Sequence, residues 1–318
     1  MVWYNYSNKT LFGIKTDAER YAWAMWNIFV ILVSFLGDTT ILVASIKYKA
    51  FRMNKIIVAI IQHIAVCDLL CSLYLVPSAI SLITDGMILD YKLCNIRLFL
   101  SHHANTVSLL LICVLTLGKL RLLKNPFARC SRTKAHEICA GIWIASFYVP
   151  ALHLLVDMED PIFDYSLLHG CLFRYSSGRV KWLMPVIAVI TKFGPNLVIV
   201  VATVLLLLEA RTGTDGSRRN LRWQGIMTVV STATAYTLSV LPIAIYCIAE
   251  PSVSKDPLSP GPFYIYYYRI AVAFMNFNIL SHFFVYSLTV SSFKIFLTNK
   301  LGLTKCYSAG IFILNYSA

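Results

Sequence analysis

Hydrophobic residues run along this chain in long blocks, not in the alternation of a strand or the narrow stripe of a surface helix. Seven blocks stand out: Ala22–Ile46, Ile56–Thr84, Leu98–Leu120, Ile138–Val156, Trp182–Glu209, Gly225–Ala249 and Ile265–Val290. A helix crosses a bilayer in about 20 residues, so each block predicts one membrane span. Pro77, Pro150, Pro185, Pro195 and Pro242 fall inside blocks. Bilayer helices tolerate such breaks because neighbouring helices satisfy the freed carbonyls. The expected architecture is an all-α membrane protein with a seven-transmembrane-helix bundle over residues 22–290. A polar segment, 1–21, precedes it and a tail, 291–318, follows. No connection has room for another domain.

Composition sharpens this. Charged residues make up 14% of the chain and AVILMFWYC residues 58%, with a mean hydropathy of +0.68. A soluble domain carries roughly 25% charged residues, so these values exclude an ordinary soluble enzyme, a disordered chain and a coiled coil. The net charge of +13 could point to nucleic acid, but its distribution does not. Seventeen Lys and Arg, among them Lys47, Arg52, Lys119, Arg121, Arg132, Arg218, Arg222 and Lys294, fall in one set of alternate loops against three acids. In the other set ten basic and ten acidic residues cancel. The basic side is therefore expected to be cytoplasmic, against anionic membrane lipid, with the N-terminus outside and no nucleic-acid partner. The first span is expected to act as its own uncleaved insertion signal. Asn5-Tyr6-Ser7 and Asn8-Lys9-Thr10 then read as exposed glycan acceptors at Asn5 and Asn8, whereas Asn315-Tyr316-Ser317 lies inside.

Of the nine cysteines, Cys67, Cys71, Cys113, Cys130, Cys139, Cys247 and Cys306 read as small hydrophobes or free thiols. Cys94, at the outer start of the third span, and Cys171, in the longest outer loop, face an oxidising compartment and are expected to pair. No CxxC or HExxH spacing predicts a metal, and the adjacent His102 and His103 point about 100° apart on a helix. No nucleophile–base spacing or cofactor loop predicts an enzyme or a bound cofactor.

The ordered set of features resembles the rhodopsin-like (class A) G-protein-coupled receptors over about residues 20–300. Gly37-Asp38 stands where the family has Gly-Asn, and Ile64–Leu70 (IAVCDLL) resembles its LAxADLL, with Pro77 nine residues beyond Asp68. Twenty-five residues lead from Cys94 to Lys119, at the Arg of the family's Asp-Arg-Tyr. Asn125-Pro126-Phe127 resembles its Pro-Leu loop signature; Trp143 and Pro150, Pro195, and Pro242 mark spans four, five and six. The seventh ends in Tyr286, and Phe293 opens a basic amphipathic stretch like the family's eighth helix. Cys306, thirteen residues beyond Phe293, is a candidate for palmitoylation or an idle thiol.

The resemblance implies a plasma-membrane receptor in which an extracellular ligand shifts a helix-bundle equilibrium toward a heterotrimeric G protein. The switch residues it implies are Lys119, Arg222, Pro242 and Tyr286. The family's Asp-Arg-Tyr reads Gly118-Lys119-Leu120, its Cys-Trp-x-Pro reads Ser239-Val240-Leu241-Pro242, and its Asn-Pro-x-x-Tyr reads His282-Phe283-Phe284-Val285-Tyr286. With Arg222 at the usual acidic position of the sixth span, no ionic lock of the family's kind can form at Lys119. Lys also lacks the planar donor fork of Arg. A receptor that couples weakly and a divergent, non-signalling decoy or scavenger both stay open. A transporter or channel fits less well, since neither an inverted repeat nor paired broken helices are visible.

Asp38 and Asp68 lie in mid-span, where an ionised side chain costs at least about 2.5 kcal/mol and needs partners. The resemblance places Asp38, Asp68, Ser108, Asn278 and His282 in one cluster, often with sodium, here possible at Asp68. Two family amides have become an acid and a potential base: independent drift or a compensated Asp38–His282–Asp68 network, whose charged His282 would compete with sodium. The outer cleft is the expected ligand site, with Arg97, Ser101, His102, Asn105, Lys192, Asn276 and Arg269 as candidates. Ser101 stands at the family's amine-binding Asp and Asn276 at the opsins' retinal Lys, which argues against a biogenic amine and retinal. Arg97 and Lys192 would suit an anionic ligand group, or Arg97 and Arg269 sit at headgroup level while Lys192 snorkels. The Tyr264–Tyr268 aromatics read as an interfacial belt or a ligand cage.

Overall fold

A computed structural model of the chain describes residues 16–47, 55–84, 91–125, 131–148, 150–151, 161–163, 173–175, 183–212, 216–253, 262–290, 293 and 296–298. The first three spans are α1 (Asp17–Lys47), α2 (Lys55–Thr84) and α3 (Tyr91–Lys124), and the fourth opens with α4 (Arg132–Ser146). The fifth comprises α5 (Leu183–Ala188), a wide turn (Val189–Phe193) and α6 (Gly194–Thr212). The sixth is α7 (Gly216–Val253) and the seventh α8 (Pro262–Thr289). Among the described residues six helices are long and apolar enough to cross a membrane.

The helices outrun their apolar blocks because polar residues can finish a helix once it leaves the hydrocarbon. Asp17 and Glu19 in the first turn of α1 and Lys47 in its last complement the helix dipole. In α4, Ser131 sits in extended backbone (φ −71°, ψ 157°) and its Oγ accepts the Lys134 amide at 3.1 Å, an N-cap. This helix is 15 residues long, short of the expected block Ile138–Val156. It ends before Pro150, which has no N–H to give the Ser146 carbonyl. The ladder resumes with Ala151 N donating to Phe147 O at 3.1 Å. Residues 152–160, the rest of that block, lie outside the described residues.

The break in the fifth span has the same cause. Pro195 cannot donate to Thr191, and the chain takes up the slack with a π turn closed by the Gly194 amide on Val189 O. The connection between the fourth and fifth spans also holds a feature absent from an all-helical expectation: β1 (Pro161–Phe163) pairs antiparallel with β2 (Phe173–Tyr175), in register Ile162 against Arg174.

The largest core cluster is built around the third span. Val107, Leu109, Leu111, Ile112 and Leu115 pack with Ile60 and Ile64 of the second, Ile199 and Leu206 of the fifth and Val229, Ala233 and Val240 of the sixth. A second cluster joins Ile41 and Ala44 to Ile61, Tyr286 and the segment beyond the seventh span. There Phe293, Phe296 and Leu297, at the i, i+3, i+4 spacing of one helix face, are all buried. The outward residues are apolar too: Leu36, Leu73, Ile190, Val201, Leu238 and Leu288 are exposed. Polar side chains gather inside instead, among them Asp38, Asp68, Ser108, Asn278 and His282. That inversion suits a lipid solvent.

Gly37 lets the first and seventh spans approach. A Cβ there would lie 2.7–2.9 Å from three atoms of Phe283, a side chain already wedged in the second core cluster. Gly37→Ala should therefore destabilise the bundle by about 1–3 kcal/mol despite its better helix propensity. Gly141→Ala, where nothing lies within 4 Å, should not. Thermal melts in detergent micelles check this, and equal midpoints for the two variants would contradict the close approach.

Candidate functional site

The seventh span carries a polar stripe at four-residue spacing, Asn278, His282 and Tyr286, which a helix aligns on one face. All three are buried. His282 Nδ1 lies 2.6 Å from Asp68 Oδ2 on the second span, and both side chains are essentially inaccessible. A separation this short is typical of a charge-assisted hydrogen bond. Tyr286 stacks parallel to His282, ring centroids 6.1 Å apart.

The first span brings a second carboxylate. Asp38 Oδ2 accepts from Ser34 Oγ at 2.7 Å, one helical turn earlier. Asp38 and Asp68 are close enough to act on each other electrostatically. Among the described residues, Asp38 Oδ1, Ser108 Oγ, Asn278 Oδ1 and His282 Nε2 are buried without a hydrogen-bond partner. Spans one, two, three and seven thus each contribute polar atoms to the interior, and Asp68 and His282 bond directly between spans two and seven.

At one end of the bundle, Arg269 Nη1 donates to Glu19 Oε1 at 2.6 Å. Arg269 is only 1% exposed, and its guanidinium is held between the seventh and first spans. Nearby, Tyr267 OH donates to the Pro242 carbonyl at 3.1 Å, and Tyr246 packs against Tyr268 with centroids 4.7 Å apart. Lys192 lies in the π turn with Nζ 3.9 Å from Cys247 Sγ of the sixth span. Ser101 and His102 are partly buried, and their carbonyls accept from Asn105 Nδ2 and Thr106 Oγ1. Asn105 O in turn lies 3.4 Å from Tyr236 OH. Asn276 is buried. The side chains of Cys94, Arg97 and Arg222, and the whole of Asn5, Asn8, Cys171 and Cys306, lie outside the described residues. Cys67, Cys71, Cys113, Cys139 and Cys247 are free thiols.

At the opposite end, Lys119 answers a question the sequence left open. Its Nζ lies against the sixth span, 2.7 Å from where a Cβ of Gly225 would stand. Lys119 is therefore not left unrestrained by the loss of acidic partners. His63 and His136 escaped the sequence reading. His63 Nδ1 accepts from Trp143 Nε1 at 3.2 Å, while its Nε2 lies 3.2 Å from His136 Nδ1, linking spans two and four. His103, and not its neighbour His102, is the buried histidine, stacked on Phe147 at 3.9 Å. Helical phase inside the third span decides between those two, and apolar residues on every side hide that phase from the sequence.

His282→Ala would leave Asp68 buried without its imidazole and should lower stability by about 3–5 kcal/mol. Replacing both residues by Asn should recover most of that loss, since two amides carry no net charge to bury. Losses that simply add across the two single variants would show that the side chains do not act as a pair.

Against known proteins, the profile described as 7 transmembrane receptor (rhodopsin family) matches residues 37–279. No curated protein sequence matches the chain significantly. Among solved structures, the crystal structure of squid rhodopsin superposes with a TM-score of 0.77 at 13% identity, covering 92% of this chain and 88% of that one. That likeness carries the fold, and the profile, spanning well over half the chain, carries the family. The chain is a multi-pass membrane protein that belongs to the rhodopsin family of seven-transmembrane receptors, the class A G-protein-coupled receptors.

Proposed function

We propose that the chain is a plasma-membrane receptor, N-terminus outside, that passes an extracellular ligand signal to a heterotrimeric G protein. The observation that carries this reading is the buried Asp68–His282 bond between spans two and seven. Ionisable groups in mid-membrane are costly, and in a helix bundle they mark working parts. Lys119 supports it from the Gly225 end, as a cation at the position where the family's Arg engages the G protein. Under this reading the Lys119 end is cytoplasmic and the Glu19–Arg269 end faces outward. A bond between Cys94 and Cys171 would tie the loop that carries β2 over the outer mouth, and Asn5 and Asn8 would be glycosylated.

A sodium ion at Asp68 does not fit this interior. The imidazole of His282 already lies 2.6 Å from Oδ2 and occupies a carboxylate oxygen that a cation would need. The ligand is neither an amine nor retinal, since Ser101 and Asn276 offer neither a carboxylate nor an amine. Arg269 is committed to Glu19, which leaves Arg97 and Lys192 as the cations suited to an anionic ligand group.

The test is nucleotide exchange on purified G proteins of each class by the full chain in lipid nanodiscs, without ligand and across a ligand panel. Exchange above that of empty nanodiscs in at least one class, abolished by Lys119→Ala, is expected. Silence in every class, together with uptake of a labelled ligand by expressing cells, would favour the decoy reading. Separately, Cys94→Ala and Cys171→Ala should each reduce surface expression, with a loss of stability of about 2–5 kcal/mol. Mass spectrometry of surface-purified protein that finds both thiols free would overturn the disulfide.

A further inference from the structure

We infer that Trp143, His63 and His136 form a one-way hydrogen-bond chain with no place for an added proton, so that acid unfastens the fourth span from the second. The inference is independent of the proposed coupling. Its direction is set by the indole. Trp143 Nε1 carries a hydrogen that it can only donate, and it lies 3.2 Å from His63 Nδ1. That ring nitrogen must be the bare one, which puts the single proton of the neutral imidazole on Nε2. Nε2 faces His136 Nδ1 at 3.2 Å and therefore donates to it. Two donors in series thus join spans two and four, and His136 Nδ1 is the acceptor at the end.

An extra proton finds no vacant acceptor here. On His63 Nδ1 it would stand N–H to N–H against Trp143, and on His136 Nδ1 it would stand so against His63. Reversing the chain is no escape, because an indole cannot accept. Either way one inter-span bond is lost and a cation is left in a half-buried seam. Both imidazoles are partly exposed, so protons can reach them. The titratable neighbours do not change the outcome. His136 is the charge-bearing group that acts on His63. Cys67 and Cys139, one turn further along each helix, are buried free thiols, uncharged below the ordinary thiol range near about pH 8.5. His103 of the third span meets Trp143 edge-on at 5.5 Å. Asp38 and His282, from the first and seventh spans, gather at Asp68 instead, and Lys134 and Glu137 lie on exposed faces of the fourth. A metal ion does not replace the proton between the rings. Bound to His63 Nε2 it would force the hydrogen onto Nδ1, against the indole, and among the described residues no third metal-ligating side chain joins the pair.

The experiment follows the thermal midpoint of the full chain in nanodiscs about one pH unit above and one below the ordinary imidazole range, near pH 6.5. An unfolded chain takes up the proton freely and the folded chain only by breaking a bond. The bond's contribution is therefore present above that range and lost below it. On acidification wild type should lose about 2–4 °C more than the double variant His63→Gln, His136→Gln, whose amides do not titrate. Trp143→Phe should lower the midpoint at both pH values yet abolish the extra loss. With no indole opposite, His63 Nδ1 can carry a hydrogen while Nε2 accepts from a protonated His136. Histidines that merely packed in the seam would not respond to Trp143 in this way. Nitrogen-15 NMR at the higher pH should find His63 Nδ1 bare and Nε2 protonated. Equal losses in wild type and the double variant, an undiminished loss in Trp143→Phe, or a hydrogen on His63 Nδ1 at the higher pH overturns the inference.

Discussion

Everything in the middle of this bundle is arranged around one bond, the 2.6 Å contact between His282 and Asp68. A carboxylate in mid-membrane has no water to turn to, and a neutral imidazole with nothing to donate to is scarcely cheaper. Joined, they satisfy each other in a low dielectric, where a charge-assisted bond is at its strongest. The bond fixes the azimuth of the seventh span, and the four-residue spacing of its polar stripe then places Asn278 and Tyr286 without further choice. Gly37 makes the arrangement possible from the other side. By admitting Phe283 it lets the first span close on the seventh, and one residue later that span delivers Asp38 to the same interior.

Contacts at the bundle ends complete the design. Glu19 and Arg269 join the first and seventh spans by a nearly buried ion pair, whose members must stay together because either alone would be an uncompensated charge. At the other end, Lys119 of the third span lies against Gly225 of the sixth.

Much of the fold was legible because membrane helices announce themselves by length and apolarity. Six of the seven blocks correspond to long apolar helices among the described residues. Their ends were misjudged because polar residues such as Asp17 and Lys124 continue a helix after the lipid stops. The cluster residues Asp38, Asp68 and His282 stood out as ionisable groups inside apolar runs. What stayed hidden depends on contact between distant segments. Glu19 meets Arg269 across 250 positions, and Gly225 has no side chain to draw attention to itself. The π turn at Val189–Phe193 was foreshadowed by Pro195, but a proline alone does not say whether a helix kinks, stops or widens. The His63–His136 contact was invisible for the reason that hid His103: in a run where every face is apolar, the sequence gives no helical phase.

The central claim is that His282 Nδ1 and Asp68 are hydrogen-bonded inside the bundle. Nitrogen-15 NMR of histidine-labelled chain in nanodiscs tests it directly, with the signal of His282 among the seven histidines assigned by its loss in His282→Asn. The account predicts an Nδ1 resonance bearing a strongly hydrogen-bonded proton that shifts on Asp68→Asn while the other histidines hold their positions. A His282 spectrum identical in wild type and Asp68→Asn would contradict it.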